Sequence, residues 1–344
     1  MTGVQTCALP IYVVRQTDDA GEPLLVLGGG SNVVIADAGF PGTVLQIATR
    51  GVHVDSSDSC GGAVVRVAAG ESWDDFVQTA IERHWTGIET LSGIPGSVGA
   101  TPVQNVGAYG QEVSSTIAQV RTWDRQSGRV VTFANADCEF AYRDSVFKRA
   151  TAGGLGRYVV LDVLFQFRPG ALSEPIAYAD LAAGLGVGIG DRVPLEAART
   201  AVLDQRRRRG MVLDPDDHDT WSCGSFFTNP ILGASAVESL IDAVAARLGG
   251  EARPPLFDAP GGGAKTSAAW LIERAGFTKG FGMPGSAALS TKHTLAVTNR
   301  GAATAADVLE LAQIVRRGVF EAFGVVLEPE PNIVGLPNWP PPLP

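Results

Sequence analysis

The stretch Leu24–Val34, LLVLGGGSNVV, restricts the fold more than any other, because an apolar run there meets three consecutive glycines, a serine and an asparagine. Leu24 to Leu27 read as a buried strand, and glycines directly after a strand let backbone N–H groups turn inward together. That geometry is a nest for phosphate oxygens. A Rossmann fingerprint would need a helix opening directly after its glycines, but Gly30 is followed by Ser31, Asn32 and the β-branched run Val33–Ile35. A Walker loop fails at the segment ending Lys265-Thr266, which has Ala259 and Ala264 where glycines belong and keeps only Gly261 to Gly263 between them. Two readings remain: a cofactor pyrophosphate held by a glycine turn between strands, or a tight turn that binds nothing.

A second glycine-rich segment bears on that choice. Leu91–Glu112, LSGIPGSVGATPVQNVGAYGQE, has no period of 2 or 3.6, and so long an irregular piece inside a compact chain is usually functional. Its glycines permit close backbone approach to a flat ligand, while Ser97, Thr101, Gln104 and Asn105 offer neutral hydrogen-bonding groups.

At 344 residues the chain should form two or three folding units. With 18% charged residues and a net charge of −9, a broad nucleic-acid-binding surface is not expected. Cys7, Cys60, Cys138 and Cys223 are scattered without a CxxC, and His53, His84, His218 and His293 form no metal-like cluster. Neither a disulfide framework nor a metal site is expected. No apolar run approaches the length of a membrane span, and the N-terminus lacks the pattern of an export signal, so a cytoplasmic protein is the expectation.

Met1–Ile11 has neither periodicity nor a cap and reads as foreign to the rest, with Tyr12–Asp18 as the tail of a helix. Strands are expected at Val44–Ile47 and Val64–Ala68. A helix follows with Ser72 and Asp75 as cap partners and Trp73, Phe76, Val77, Ala80 and Ile81 on one face. Ile117–Trp123 and Val130–Phe133 flank the hairpin signal Arg125-Gln126-Ser127-Gly128, and Tyr158–Phe167 alternates as another strand. Few helices between strands indicate an α+β fold. A helix should run from about Pro194 to the arginines Arg206–Arg209. Further helices are expected at Ser235–Leu248, Thr266–Ala275 and Thr304–Phe323, the last stopped by Gly324. Val325–Leu327 then reads as a final strand delivering Glu328-Pro329-Glu330, and the proline-rich tail from Pro337 as disordered.

The motifs GGGSN, SGIPGSVGATPVQNVGAYGQEV and Tyr142-Arg143-Asp144-Ser145, with GSFFTNP and EPE further on, resemble the UDP-N-acetylenolpyruvoylglucosamine reductase family from about Gly21 to Gly335. The resemblance implies an α+β chain with a PCMH-type FAD-binding fold of two small α/β subdomains in 1–168, its first subdomain incomplete. A junction with a substrate loop would follow in 169–193 and a C-terminal α+β substrate-binding domain in 194–324. The final strand would lie in 325–336 and the tail in 337–344. It also implies FAD bound without a covalent link, NADPH as reducing co-substrate, a UDP-sugar substrate and a monomer. The FAD contacts it implies are Gly28, Gly29, Gly30, Ser31, Asn32, Gly96, Ser97, Thr101, Asn105 and Gly107.

Reducing an enolpyruvyl double bond needs hydride at the β carbon and a proton at the α carbon, with a fixed cation near the carboxylate where charge builds up. The resemblance assigns the cation to Arg143, whose planar fork suits a carboxylate. An ion pair with Asp144 is the competing reading. It assigns the proton donor to Ser225, which could otherwise be a turn or cap serine, and a catalytic carboxylate to Glu330, which could otherwise end a solvated strand. On a regular strand Glu328 would point the same way. Tyr178, Asn229, Lys265 and Lys279 match substrate-binding positions. Met211 replaces a lysine of the family, so Arg208 or Arg209 could serve the pyrophosphate, or the arginine run could be a solvated helix face. Cys223 reads as a small buried residue. Another flavoprotein of the same cofactor fold, or a flavin-less nucleotide-sugar binding protein, are the alternatives.

Overall fold

The computed structural model of the chain describes residues 5–58, 61–152, 155–259 and 262–343; the opening four residues, Cys60 and Gly261 lie outside that description. The chain divides into two compact units, one made of residues 1–31 and 40–208, the other of 32–39 and 209–344.

The first unit is built on an antiparallel sheet in the order Arg129–Ala134, Ile117–Asp124, Tyr158–Pro169, Gly62–Ala68, Val52–Asp58. Tyr158–Pro169 (YVVLDVLFQFRP) is central because its β-branched and aromatic residues are buried over most of its length. The helix Trp73–Glu82 covers the sheet with the face expected of it, Ser72 accepting from the Asp75 N–H. Trp73, Phe76, Phe165 and Phe167 form one aromatic cluster with ring centroids 5.1–6.3 Å apart. Burying each such ring stabilises the fold by about 2–3 kcal/mol. The expected hairpin closes between Asp124 and Arg129, with Gly128 at φ 64°. Leu24–Leu27 is a strand paired in parallel with Thr43–Gln46.

Two expectations are corrected in this unit. The N-terminal helix spans Gln5–Asp19 with Pro10 inside it, earlier than the patternless residues suggested. Val14 is buried in the core, and Arg125 forks onto the Asp18 carboxylate. The helix Leu195–Arg208 was expected to open the second domain, yet it belongs to the first unit. There Ala198 and Val202 pack with Ile176, Leu181 and Val193, and Arg199 makes a forked ion pair with Asp74.

The second unit packs the helices Ala234–Leu248, Ala268–Ala275 and Ala305–Phe323 around one core with the hairpin Ala287–Leu289 and Val297–Asn299. Thr304 and Asp307 form the expected capping box, and the Asp37 carboxylate accepts from the Ala305 and Ala306 N–H groups. This anion suits the positive end of the helix dipole. Thr266 lies in the short strand Ala264–Thr266, so its helix starts at Ala268 behind the cap Ser267.

Val325–Leu327 is not a strand. The last strand is Asn332–Val334, paired in parallel with Val33–Ile35. The tail is likewise not the detached segment its prolines suggested. Trp339 packs edge-on against Phe226, and the Arg316 guanidinium donates to the carbonyls of Leu327 and Pro341. One large aromatic ring and one buried cation outweigh the polyproline composition.

Candidate active site

In the first unit the two glycine segments touch. A Cβ on Gly29 would stand 2.8 Å from the Gly96 Cα, one on Gly28 would run into the Ser97 hydroxyl, and one on Gly96 would stand 3.3 Å from the Ser31 hydroxyl. Only backbone fits between them. Gly30 turns at φ 70° and Gly96 at φ 114°. Among the described residues, no protein acceptor meets the N–H groups of Gly29, Gly30 and Ser31. A turn that presents its N–H groups beside a second, side-chain-free turn suits a pyrophosphate.

Thr101 and Asn105 have other duties. The Thr101 hydroxyl donates to Val98 O at 2.8 Å. Asn105, 1% exposed and at φ 45°, donates to Glu112 and Ala141 and accepts from the Ser114 N–H. The amide expected to face a ligand thus ties the long loop to the segment at Ala141 and to Ser114 just beyond it. Gly107 opens the small hairpin with Gln111–Glu112, and its carbonyl accepts from Arg143 Nη2 at 2.7 Å. Arg143 sits at φ 54° with its guanidinium over the Tyr142 ring, while Asp144 pairs with Arg149. Tyr178, 49% exposed, caps the start of Ala179–Leu185 and meets Tyr109 of the glycine loop edge-on at 5.9 Å. The arginine run is split. Arg207 and Arg208 are exposed, whereas Arg206 is half-buried near Asp74 and Tyr109, and desolvation pushes its pKa down.

In the second unit the structure brings Ser225 and Glu330 together. The Glu330 N–H donates to Phe226 O at 2.9 Å, the Thr228 N–H donates to Glu328 O at 3.0 Å, and Phe227 bridges Pro329 antiparallel. The EPE segment is therefore not part of a regular strand. Its two acids differ: Glu328 is exposed and Glu330 half-buried. Asn32 belongs to this unit, and its amide donates to Glu330 O at 3.4 Å. Asn229 accepts from the Ala268 N–H, and Lys265 lies on the middle strand of three. Cys223 donates to Val33 O, and burial pushes its thiol up to about 11, so it stays protonated at neutral pH.

The sequence reading missed the loop around His293. Asp219 accepts from the Thr291 N–H and from Arg300, and the Ser290 hydroxyl accepts from the Lys292 and His293 N–H groups. Burial, with Arg209 and Lys279 nearby, lowers the His293 pKa to about 4. No motif marked this residue, since its perturbers are far off in sequence. The folded chain holds His293 neutral while the unfolded chain takes up a proton below its ordinary value near 6.5. Stability should therefore fall as pH drops from about 6.5 to about 4, and no further through this group. Denaturant unfolding across that window should show a shallower pH slope for His293→Gln than for the parent; identical slopes would exclude the residue.

Residues 11–134, which hold both glycine segments, match the FAD binding domain family. Residues 214–334, which hold Ser225, Asn229, Lys265, Lys279 and Glu330, match the UDP-N-acetylenolpyruvoylglucosamine reductase C-terminal domain. The protein named UDP-N-acetylenolpyruvoylglucosamine reductase from Streptomyces coelicolor is 56% identical over 332 residues, covering 96% of this chain and 84% of its own.

The chain belongs to the UDP-N-acetylenolpyruvoylglucosamine reductase family.

A relative of the same name from Thermobifida fusca is 54% identical, over 95% of this chain and 90% of its own. A crystal structure of the UDP-N-acetylenolpyruvylglucosamine reductase from Thermus caldophilus matches in fold, with a TM-score of 0.59 over 94% of this chain and 88% of that one at 24% identity. The α+β architecture is thus the family's, as the motifs implied. Among the described residues, no helix is long and apolar enough to cross a membrane.

Proposed function

We propose that this chain reduces the enolpyruvyl group of UDP-N-acetyl-3-O-(1-carboxyvinyl)glucosamine to give UDP-N-acetylmuramate, a step of peptidoglycan precursor synthesis, as a cytoplasmic monomer that draws electrons from NADPH. The observation that carries the reading is the backbone pairing that sets Ser225 beside Glu330 in a chain with the family's sequence. Bound FAD, reduced by NADPH, supplies the hydride for the β carbon.

The residues do the rest. The turns at Gly28–Ser31 and Gly96–Ser97 hold the FAD pyrophosphate with backbone N–H groups. Arg143 holds the substrate carboxylate and stabilises charge that grows toward it as the α carbon becomes electron-rich. The Ser225 hydroxyl gives its proton to that carbon, and Glu330 orients it and helps restore it. Tyr178 closes over the substrate diphosphate, with Asn229, Lys265 and Lys279 as further substrate contacts. The second unit thus supplies Ser225, Asn229, Lys265, Lys279 and Glu330, and the first supplies Arg143 and Tyr178.

Purified protein should be yellow, bleach on anaerobic addition of NADPH, and regain its colour with the enolpyruvyl sugar nucleotide. Recolouring by oxygen alone would point to an oxidase, and a colourless protein that still binds the sugar nucleotide would leave only a binding function.

A further inference from the structure

Glu89 is fully buried, yet the reaction proposed above gives it no part. Its Oε2 accepts from the Gly87 N–H at 2.7 Å, and its Oε1 accepts both from Gln111 Nε2 at 2.8 Å and from the Glu174 N–H at 2.6 Å. A buried carboxylate is costly unless its oxygens are met by donors. Here the donors come from three separate pieces of chain.

Each of those pieces leads somewhere. Gln111 closes the hairpin that carries Tyr109, and its Oε1 accepts from the Thr90 N–H and hydroxyl, which locks the hairpin to the turn Glu89–Leu91. Glu174 starts the arm that ends at Tyr178, held further on by the Ile176 N–H on Asp191 O. Tyr109 and Tyr178 then meet edge to face. One carboxylate oxygen therefore anchors both halves of a two-tyrosine contact.

We propose that Glu89 is a positioning residue that fixes the arm bearing Tyr178 against the glycine loop, and thereby sets how tightly the chain holds the diphosphate of a sugar nucleotide. The second half of this statement rests on the proposed function. Glu89→Leu removes both acceptor oxygens and leaves the Gly87 and Glu174 N–H groups and the Gln111 amide without their acceptor, whereas Gln could keep its oxygen toward Glu174 and Gln111.

The holoprotein with Glu89→Leu, Tyr178→Ala or both should be compared with the parent. Amide hydrogen exchange over residues 173–181 should quicken at least about 10-fold in Glu89→Leu, the size of one lost buried hydrogen bond, while the helix Trp73–Glu82 exchanges as before. Unchanged exchange in the arm would overturn the proposal whether or not the sugar nucleotide is the substrate. For the sugar nucleotide, KM should rise roughly 10-fold, with flavin reduction by NADPH within about 2-fold of the parent. In the double variant, KM should be no higher than in Tyr178→Ala alone, because both changes act through the same contact. Additive rises, or an equal loss in both half-reactions, would reduce Glu89 to a general stabiliser. If Glu89→Leu fails to fold, Gln111→Leu frees the hairpin half of the same contact without touching the carboxylate and should quicken exchange over residues 107–112 and raise KM; no change in either would overturn the proposal. A parent protein that ignores the sugar nucleotide would sink the function reading and leave the exchange result to judge Glu89.

Discussion

Ser225→Ala is expected to leave anaerobic reduction of the flavin by NADPH nearly unchanged and to slow its reoxidation by the enolpyruvyl sugar nucleotide by roughly 10²–10⁴-fold, the range for removing a positioned proton donor. Rapid mixing separates the two half-reactions. The reason lies in local geometry: Gly224 turns at φ 78°, Phe226 is anchored by its N–H on Leu295 O and by the Glu330 N–H on its own carbonyl, and Ser225 is held between them. Alanine keeps that backbone and deletes only the hydroxyl. Equal slowing of both half-reactions would mean that the substitution disturbs the unit as a whole, and Ser225 would lose its role.

Gly29→Ala should yield protein with little or no bound flavin. Gly29 has no positive φ, so alanine is acceptable to its own backbone, but the new Cβ would stand 2.8 Å from the Gly96 Cα. That neighbour is main chain and cannot rotate away. The two turns must part, at about 1–3 kcal/mol of overpacking, and the surface proposed to meet the cofactor opens with them. Gly30→Ala is the informative control. Its Cβ meets nothing within 4 Å, but its φ of 70° costs an L-residue about 1–2 kcal/mol. The ratio of flavin absorbance to protein should fall far more in Gly29→Ala than in Gly30→Ala. Full flavin content in Gly29→Ala would show that contact between the glycine turns does not shape the cofactor site.

Elements whose signals are local were legible from sequence. The helices Trp73–Glu82 and Ala305–Phe323 carry their caps at Ser72 and Thr304 and their apolar faces in a single window. The hairpin at Asp124–Arg129 is written in four adjacent residues. What was not legible depends on partners distant in sequence. Val325–Leu327 has the apolar character of a strand but finds no ladder, while Asn332–Val334, with a weaker pattern, gains one from Val33–Ile35. The helix Leu195–Arg208 shows which face it buries but not in which core. Trp339 sits in a composition typical of disorder, yet it has Phe226 to pack on. Within the proposed site, the motifs singled out Ser225 and Glu330, whereas the irregular backbone pairing that joins their segments was not readable. Asn105 shows the reverse: its chemistry was visible, but its amide is engaged by Glu112, Ala141 and Ser114.

The ladder between Val33–Ile35 and Asn332–Val334 has a consequence for biosynthesis. Asn32 and Glu330, which flank it, are 298 positions apart, so the ribosome releases one edge long before the other. Throughout that interval, a β-branched segment must wait without its mate. Assembly of the second unit is thus a late, slow, closing event of high contact order, and the nascent polypeptide is most exposed to wrong associations just before it.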